Sequence, residues 1–360
     1  MARIVSVVSN GCDPDPRVLR EARWMSDAGH DVTIHAFDRQ ENLESITEEN
    51  GVKIVRHRVG ITPYGGSYST IRGIQKFRKS VLNKVTEVDI LHCHDADTLP
   101  LATQINAKYT IFDMHDLHHT WARMTNPKSI LRRLVSTRMK SAMLSRAKLV
   151  DSVITSSRYF SDWLNEHSIS STFVENRMAR QSELANPTFP TIGYFGRIRD
   201  PAAFQLLFES LKFIEPTHRP NVIIAGDGVS AEMVKQMSMN YSDLDIQVRT
   251  GFDHSELPSM MAEISIMFAM YSPERGNIAE GAIPSKMFEA AAFGRPSIVN
   301  ADTPMGEICE AESLGLGVEW GDVEGLANTI TRLHGTTVEL IHDESSEREK
   351  FLNVVNGFKI

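Results

Sequence analysis

The stretch Gly276-Asn277-Ile278-Ala279-Glu280-Gly281-Ala282-Ile283-Pro284-Ser285-Lys286-Met287-Phe288-Glu289-Ala290-Ala291-Ala292-Phe293-Gly294-Arg295-Pro296 leads straight into Ser297–Asn300. It reads as a glycine-bearing loop, a helix over about 284–293 and a strand. Pro284 suits the first helical position, where a missing N–H is no loss, and Gly294 suits the residue after the end. The unpaired N–H groups at such a helix start attract anions, and Lys286 adds a cation in the first turn. Glu289 follows three residues later on the same face, where a carboxylate can accept from the two hydroxyls of a ribose. An ordinary surface helix with a polar first turn has the same pattern, so the segment needs its context.

Outward from it, short apolar runs alternate with longer amphipathic ones. Toward the amino terminus of this half, strands are expected at 192–195, 222–225, 246–249 and 264–269, and beyond it at 297–300 and 317–319. Helices are expected near 201–213, 230–239, 255–262 and 322–334. The first half repeats the rhythm, with strands at 4–9, 32–37, 52–57, 90–94, 110–113, 149–155 and 172–175. Its first helix is punctuated by Asp15 as N-cap, Pro16 at N1 and Gly29 just past the end. Strand–helix–strand alternation implies right-handed crossovers and a mainly parallel sheet. Ala185-Asn186-Pro187-Thr188-Phe189-Pro190 interrupts the rhythm and reads as a linker. The expected architecture is therefore α/β: a Rossmann-like doubly wound domain over 1–184, a linker over 185–190, a second such domain over 191–341, and a helical tail over 342–360. Two such domains in series face across a cleft, and ligands meet such sheets beyond the carboxyl ends of their strands.

The length of 360 residues suits two domains, and 41% hydrophobic with 23% charged residues is an ordinary globular composition. Three widely spaced cysteines make neither a disulfide framework nor a paired-cysteine zinc pattern. No stretch nears the ~20 apolar residues that span a bilayer. A cytoplasmic location, peripheral to the inner face of the membrane, is expected. Residues 1–186 carry 25 Lys and Arg against 21 Asp and Glu, while residues 187–360 carry 13 against 25. The acidic second half argues against nucleic-acid binding. Residues 128–148 are helical in pattern and basic, with no Asp or Glu. Such a helix suits peripheral contact with an anionic membrane, or a solvated face.

Other candidates follow strands. Gly193-Tyr194-Phe195-Gly196-Arg197-Ile198-Arg199 carries a strand into a glycine turn where backbone can approach a ligand, and Arg197 suits a diphosphate. His92-Cys93-His94-Asp95 and Asp113-Met114-His115-Asp116, with His118 and His119, offer hydrogen bonds to sugar hydroxyls or acid–base help. A metal is not expected there, because the set lacks defined ligand spacing. Asn10-Gly11-Cys12-Asp13-Pro14-Asp15-Pro16-Arg17 is polar and placed to touch an acceptor. It is neither GxGxxG nor a phosphate-binding GxxxxGK loop, so dinucleotide binding and NTP hydrolysis of those kinds are not supported.

Taken in order, these segments resemble the retaining glycosyltransferases of GT-B architecture, glycosyltransferase family 4, over nearly the whole chain. The resemblance is carried by Asp13-Pro14-Asp15-Pro16-Arg17-Val18-Leu19-Arg20-Glu21-Ala22, His92-Cys93-His94-Asp95, Asp113-Met114-His115-Asp116, Gly196-Arg197, Ala225-Gly226-Asp227-Gly228, Gly251-Phe252 and above all Pro284 to Pro296. It implies transfer of a sugar from a nucleoside-diphosphate sugar to a glycan, lipid-linked or small-molecule acceptor, with no metal or other cofactor. Arg197 and Lys286 would hold the diphosphate, Glu289 the ribose, and the backbone at Gly251 and Phe252 the base. His115, with Asp116, would serve the transferred sugar, and Asp13, Asp15, Arg17, His94 and Asp95 would shape the acceptor side. Many members carry a second glutamate eight positions before the one matched by Glu289. That place is Gly281 here, so the backbone amides over 278–283 would stand in for it, and Ala282, Ile283, Pro284 and Ser285 would belong to the donor side. A lysine common after the Gly-Arg turn is also absent, leaving Arg199 or Lys286 to supply the second cation. A sugar-nucleotide epimerase of the same architecture and a non-catalytic sugar-nucleotide-binding subunit share these features.

Overall fold

The computed structural model describes every residue except 66–67, 125, 127, 275 and 359–360. It divides into two units, Met1–Glu175 with Ser346–Ile360, and Asn176–Ser345.

In the first unit the strands are β1 Arg3–Val8, β2 Asp31–Phe37, β3 Ile46–Glu49, β4 Val52–His57, β5 Glu87–His94, β6 Asn106–Met114, β7 Ser152–Thr155 and β8 Thr172–Phe173. They stand in the order β3-β4-β2-β1-β5-β6-β7-β8. Every pair is parallel except β3 with β4. The helices are α1 Pro16–Asp27, α2 Tyr68–Leu82, the single turn α3 Asp95–Thr98, α4 His118–Met124, α5 Ile130–Ala147 and α6 Arg158–Glu166. A strand buried on both faces reads as a continuous apolar run because each face meets a helical layer. In β1, Ile4 and Val8 join a core with Trp24, Ile34 and Ile54, while Val5 and Val7 join Phe37, Phe77 and Leu91 in another.

In the second unit β9 Thr191–Phe195, β10 Asn221–Gly226, β11 Ile246–Thr250, β12 Ile266–Ala269, β13 Ser297–Asn300 and β14 Gly315–Val318 form a parallel sheet in the order β11-β10-β9-β12-β13-β14. Its helices are α7 Pro201–Leu211, α8 Ala231–Ser238, α9 Leu257–Glu263, the turn α10 Gly276–Ala279, α11 Lys286–Ala292, α12 Pro304–Ala311 and α13 Val323–Leu333; the last helix is α14 Glu344–Asn356. Both sheets are thus doubly wound, as expected.

The join differs from the expected linker. Residues 176–190 pack on the second unit, because fully buried Arg295 donates to Asn186 Oδ1 at 2.7 Å and to the Ala185 carbonyl at 2.8 Å. The division therefore falls at 175/176, ahead of the Pro187–Pro190 run. The expected tail also acts differently from an appendage. Phe351 and Val355 of α14 enter the core of the first unit, with the Phe351 ring 5.6 Å from Trp24. Residues 359–360 of that tail lie outside the described residues. No helix among the described residues is long and apolar enough to cross a membrane.

Candidate functional site

In the first unit, β1 leads outward to β2 while its other neighbour β5 leads to β6, so the chain diverges beyond the ends of β1 and β5. That divergence leaves a crevice at the strand ends. His94 closes β5 and His115 follows β6. His115 Nε2 lies 2.9 Å from Asp113 Oδ2 and its Nδ1 3.5 Å from Asp95 Oδ2. The His115 main-chain N–H also donates to Asp95 Oδ1 at 3.1 Å. Asp95 takes a left-handed φ of 64°, which Asp tolerates better than most residues. His118 Nε2 reaches the same carboxylate at 3.4 Å. Arg17 donates Nε and Nη2 to the two oxygens of Asp113 at 2.8 and 2.6 Å, and Nη1 to the Val174 carbonyl at 2.6 Å.

These contacts set the charge of the cluster. Burial alone would lower the pKa of His115, but Asp95 and Asp113 outweigh it and raise it to about 10. His118 rises to about 9 against its burial, through Asp95. Burial would raise Asp113, yet Arg17 and His115 hold it well below the usual carboxylate range. His115 is therefore an imidazolium at neutral pH. With its side chain 18% exposed, it can donate to a sugar hydroxyl or a phosphoryl oxygen.

Behind His115, Glu21, His92, His94 and Asp113 bring potential ligand atoms within 4.8 Å of one another. His92 and His94 are two apart on a strand and so share one face. Arg17 lies 3.1 Å from Glu21 Oε1 and grips both oxygens of Asp113. Burial raises the Glu21 pKa to about 8, and Arg17 already grips both oxygens of Asp113, so the set offers a divalent metal little free negative charge.

The expected acceptor residues fare unevenly. Arg17 is buried, 5% exposed, and committed to Asp113, so it braces His115 through that carboxylate instead of meeting an acceptor. His94 is fully buried, with Nδ1 3.0 Å from His115 Nε2, and is likewise a brace. Asp15 caps α1, accepting from the Val18 N–H at 3.2 Å, and Asp13 is exposed. Asp116 turns away from His115. Its oxygens accept from the Leu117 N–H at 2.8 Å and from Trp121 Nε1 at 3.3 Å, tying the approach to α4. Asp113, unassigned from the sequence beyond its motif, is the hub. The available signal was a carboxylate at the end of an apolar strand, which cannot be buried without a partner.

In the second unit, β9 runs into the turn at Gly196, φ 127°. A Cβ there would stand 2.9 Å from Lys286 Nζ. The Gly196 N–H donates to the Ala225 carbonyl at 2.9 Å and the Ile198 N–H to that of Asp227 at 2.7 Å, zipping this turn to the end of β10. Lys286 Nζ lies 4.6 Å from the Tyr194 ring centre and 5.9 Å from that of Tyr271, which follows β12. β9 and β12 are neighbours, and the winding reverses between them. Lys286 thus sits over the switch point of this sheet. Arg197 is exposed, and Lys286 and Glu289 are half-buried. Among the described residues none of the three has a salt-bridge partner. Gly251 follows β11 with open space beside its Cα, and Phe252 packs edge-on to Phe195, ring centres 6.2 Å apart. Arg199 is exposed.

The helix itself starts later than expected. Ser285 is the N-cap, its carbonyl accepting from the Glu289 N–H at 2.8 Å, so Pro284 precedes the helix. The Ala282 N–H already donates to the Asn277 carbonyl at 2.9 Å and is not open to a diphosphate, while Ile283 lies in the approach to the helix. Gly281 has φ 108°, where any side chain is strained; a glutamate at this place would meet that strain.

Family models match both units: glycosyltransferase family 4 over residues 17–175, and glycosyl transferases group 1 over residues 189–335. The succinoglycan biosynthesis protein ExoL of Rhizobium meliloti is 23% identical over 341 residues, covering 88% of this chain and 81% of that one. Among solved structures, sucrose-phosphate synthase of Thermosynechococcus elongatus matches with a TM-score of 0.73 at 15% identity, over 98% of this chain and 94% of that one. Anabaena HepE in complex with UDP-glucose matches with a TM-score of 0.69 at 14% identity, over 99% and 100%. At such identities the structural likenesses speak for the fold, two parallel-sheet α/β units of the GT-B kind.

Proposed function

This chain belongs to the glycosyltransferases of family 4, group 1, and we propose that it moves a glycosyl group from a nucleoside-diphosphate sugar to a hydroxyl of a glycan acceptor in polysaccharide biosynthesis, with retention and without a metal. The observation that carries this reading is the meeting of Lys286 with the Gly196 turn at the switch point of the second sheet. Two segments 90 positions apart in the chain converge there. A phosphoryl group would be met by the cations of Lys286 and Arg197, with Glu289 one turn in for the ribose.

In the reaction the C1–O bond to the diphosphate breaks and its electron pair leaves with the nucleoside diphosphate. The acceptor O–H breaks as its oxygen bonds to C1 on the same face, and the proton passes to an oxygen of the departing phosphate. Charge grows on that phosphate, so fixed cations lower the barrier. In the first unit, the His115 imidazolium offers a charged hydrogen-bond donor at the crevice of its own sheet.

The experiment is a thermal-shift panel of UDP-, GDP- and ADP-sugars, with UDP-glucose first because it is the ligand of the Anabaena relative. A rise in melting temperature with one base is expected. Glu289→Ala should abolish most of that shift, and Lys286→Ala should slow transfer by roughly 10²–10³. An unchanged nucleotide affinity in Glu289→Ala contradicts its role. Anomeric proton coupling in the product tests retention, and turnover in excess EDTA tests metal independence.

A further inference from the structure

We propose that a groove on the first unit, between α2 and α5, receives the lipid part of the acceptor: an apolar chain ending in a phosphate or diphosphate. The inference rests on the glycosyltransferase reading and names its acceptor class. The groove encloses about 210 Å³. Ile71 and Ile74 of α2, Met139 and Met143 of α5, and Leu99 and Pro100 make its apolar lining. Positions 71, 74 and 78 on one helix, and 139, 143 and 146 on the other, recur at helical spacing and so present one stripe each.

Both stripes end in a cation. Arg78 and Arg146 line the same groove. Arg78 makes no hydrogen bond among the described residues, and Arg146 donates Nη1 to the Ala142 carbonyl of its own helix at 3.1 Å. Burial lowers the pKa of Arg78; Asp97 opposes this and Arg146 adds to it. Asp97, the carboxylate of the lining, already accepts from Ser9 Oγ at 3.1 Å and lies 3.9 Å from Arg39. Two guanidiniums left facing one half-apolar groove are complementary to a phosphoryl group attached to an apolar chain. A free sugar or a bare anion would leave the apolar lining unused.

The surroundings fit such a ligand. His118 also lines the groove and bonds Asp95, which clamps His115, so the inner end adjoins the imidazolium. Elsewhere on the same two helices, Ile71 is 52% and Ile130 84% exposed, and Leu131, Leu134 and Val135 are exposed on the first turns of α5. Residues 128–148 carry seven Lys and Arg and no Asp or Glu. Exposed apolar side chains on a helix rich in Lys and Arg suit the surface of an anionic bilayer, the place where a lipid-borne acceptor resides.

Calorimetry on the full chain tests this, with farnesyl diphosphate as the probe and farnesol and inorganic diphosphate as its separate halves. Farnesyl diphosphate should bind at least about tenfold tighter than either half. Arg78→Gln and Arg146→Gln should each weaken it about tenfold, the worth of one charge-assisted contact. Ile71→Glu, at an exposed position that the fold does not need, should weaken it as well. Affinity for the nucleotide sugar chosen by the thermal-shift panel should be the same in all three variants. Farnesyl diphosphate binding no tighter than inorganic diphosphate, or unchanged in both arginine variants, overturns the inference. Donor binding is scored separately: its loss in the wild type overturns the glycosyltransferase site reading, whereas its presence without farnesyl diphosphate binding overturns the groove alone.

Discussion

His115 is held by Asp95 and Asp113 and faces His94, with Arg17 behind Asp113. Its folded pKa of about 10 lies above that of a free imidazole, so its protonation favours the folded state. That contribution is complete below about pH 6.5, where the unfolded chain is also protonated, and fades as pH rises through the folded value. The gap in melting temperature between wild type and His115→Gln should therefore shrink from neutral pH to about pH 10. A gap constant over that range contradicts the clamp. Asp113→Asn is a harsher change, because it strands the buried guanidinium of Arg17. Breaking a buried pair this way costs about 3–5 kcal/mol, whereas Arg17→Met with Asp113→Leu should recover much of it. Urea unfolding of the single and double variants reads this directly. None of this pairing was legible in the sequence: Arg17 and Asp113 stand 96 positions apart, and Arg17 read as an acceptor contact. Burial reversed its role.

At the level of elements, punctuation carried most of the information. Asp15, Pro16 and Gly29 bracket α1 as their chemistry requires, with the Asp15 carboxylate on the Val18 N–H and Gly29 at φ 88°. β3 has no strand signal in its sequence, because Ile46-Thr47-Glu48-Glu49 is mostly exposed and has no apolar face; only antiparallel pairing with β4 makes it a strand. α12 has a start signal of the same kind as that of α1, Thr303 accepting from the Gly306 N–H at 3.1 Å with Pro304 next to it. The β9 and β10 turns depend on glycine in a way that spacing alone does not disclose. A Cβ on Gly226 would lie 1.9 Å from the Gly196 carbonyl oxygen, and its φ is 150°. Gly226→Ala must therefore push the Gly196 turn aside. We expect a loss of about 1–3 kcal/mol in stability and a weaker donor affinity, measured by melting and by nucleotide titration. A variant with wild-type affinity would show that the turn is not part of the donor site.

At the scale of the whole molecule, the chain returns to its first unit after completing the second. Glu347 accepts from the Glu175 N–H at 2.7 Å, and Phe351 is fully buried beside Trp24. Phe351→Ala should lower the stability of the first unit by about 3–5 kcal/mol, and a calorimetric scan should show its transition moving while that of the second unit stays. A single unshifted transition would contradict that packing. Two doubly wound sheets and the loop that leads into α11 were legible in the chain itself. Apolar periodicity, caps and glycine turns act over a few residues and need no distant partner. The boundary at 175/176, the place of α14, the brace behind His115 and the groove between α2 and α5 were decided only by the tertiary structure. Each depends on which side chains lose contact with water, and that is set by neighbours far along the chain.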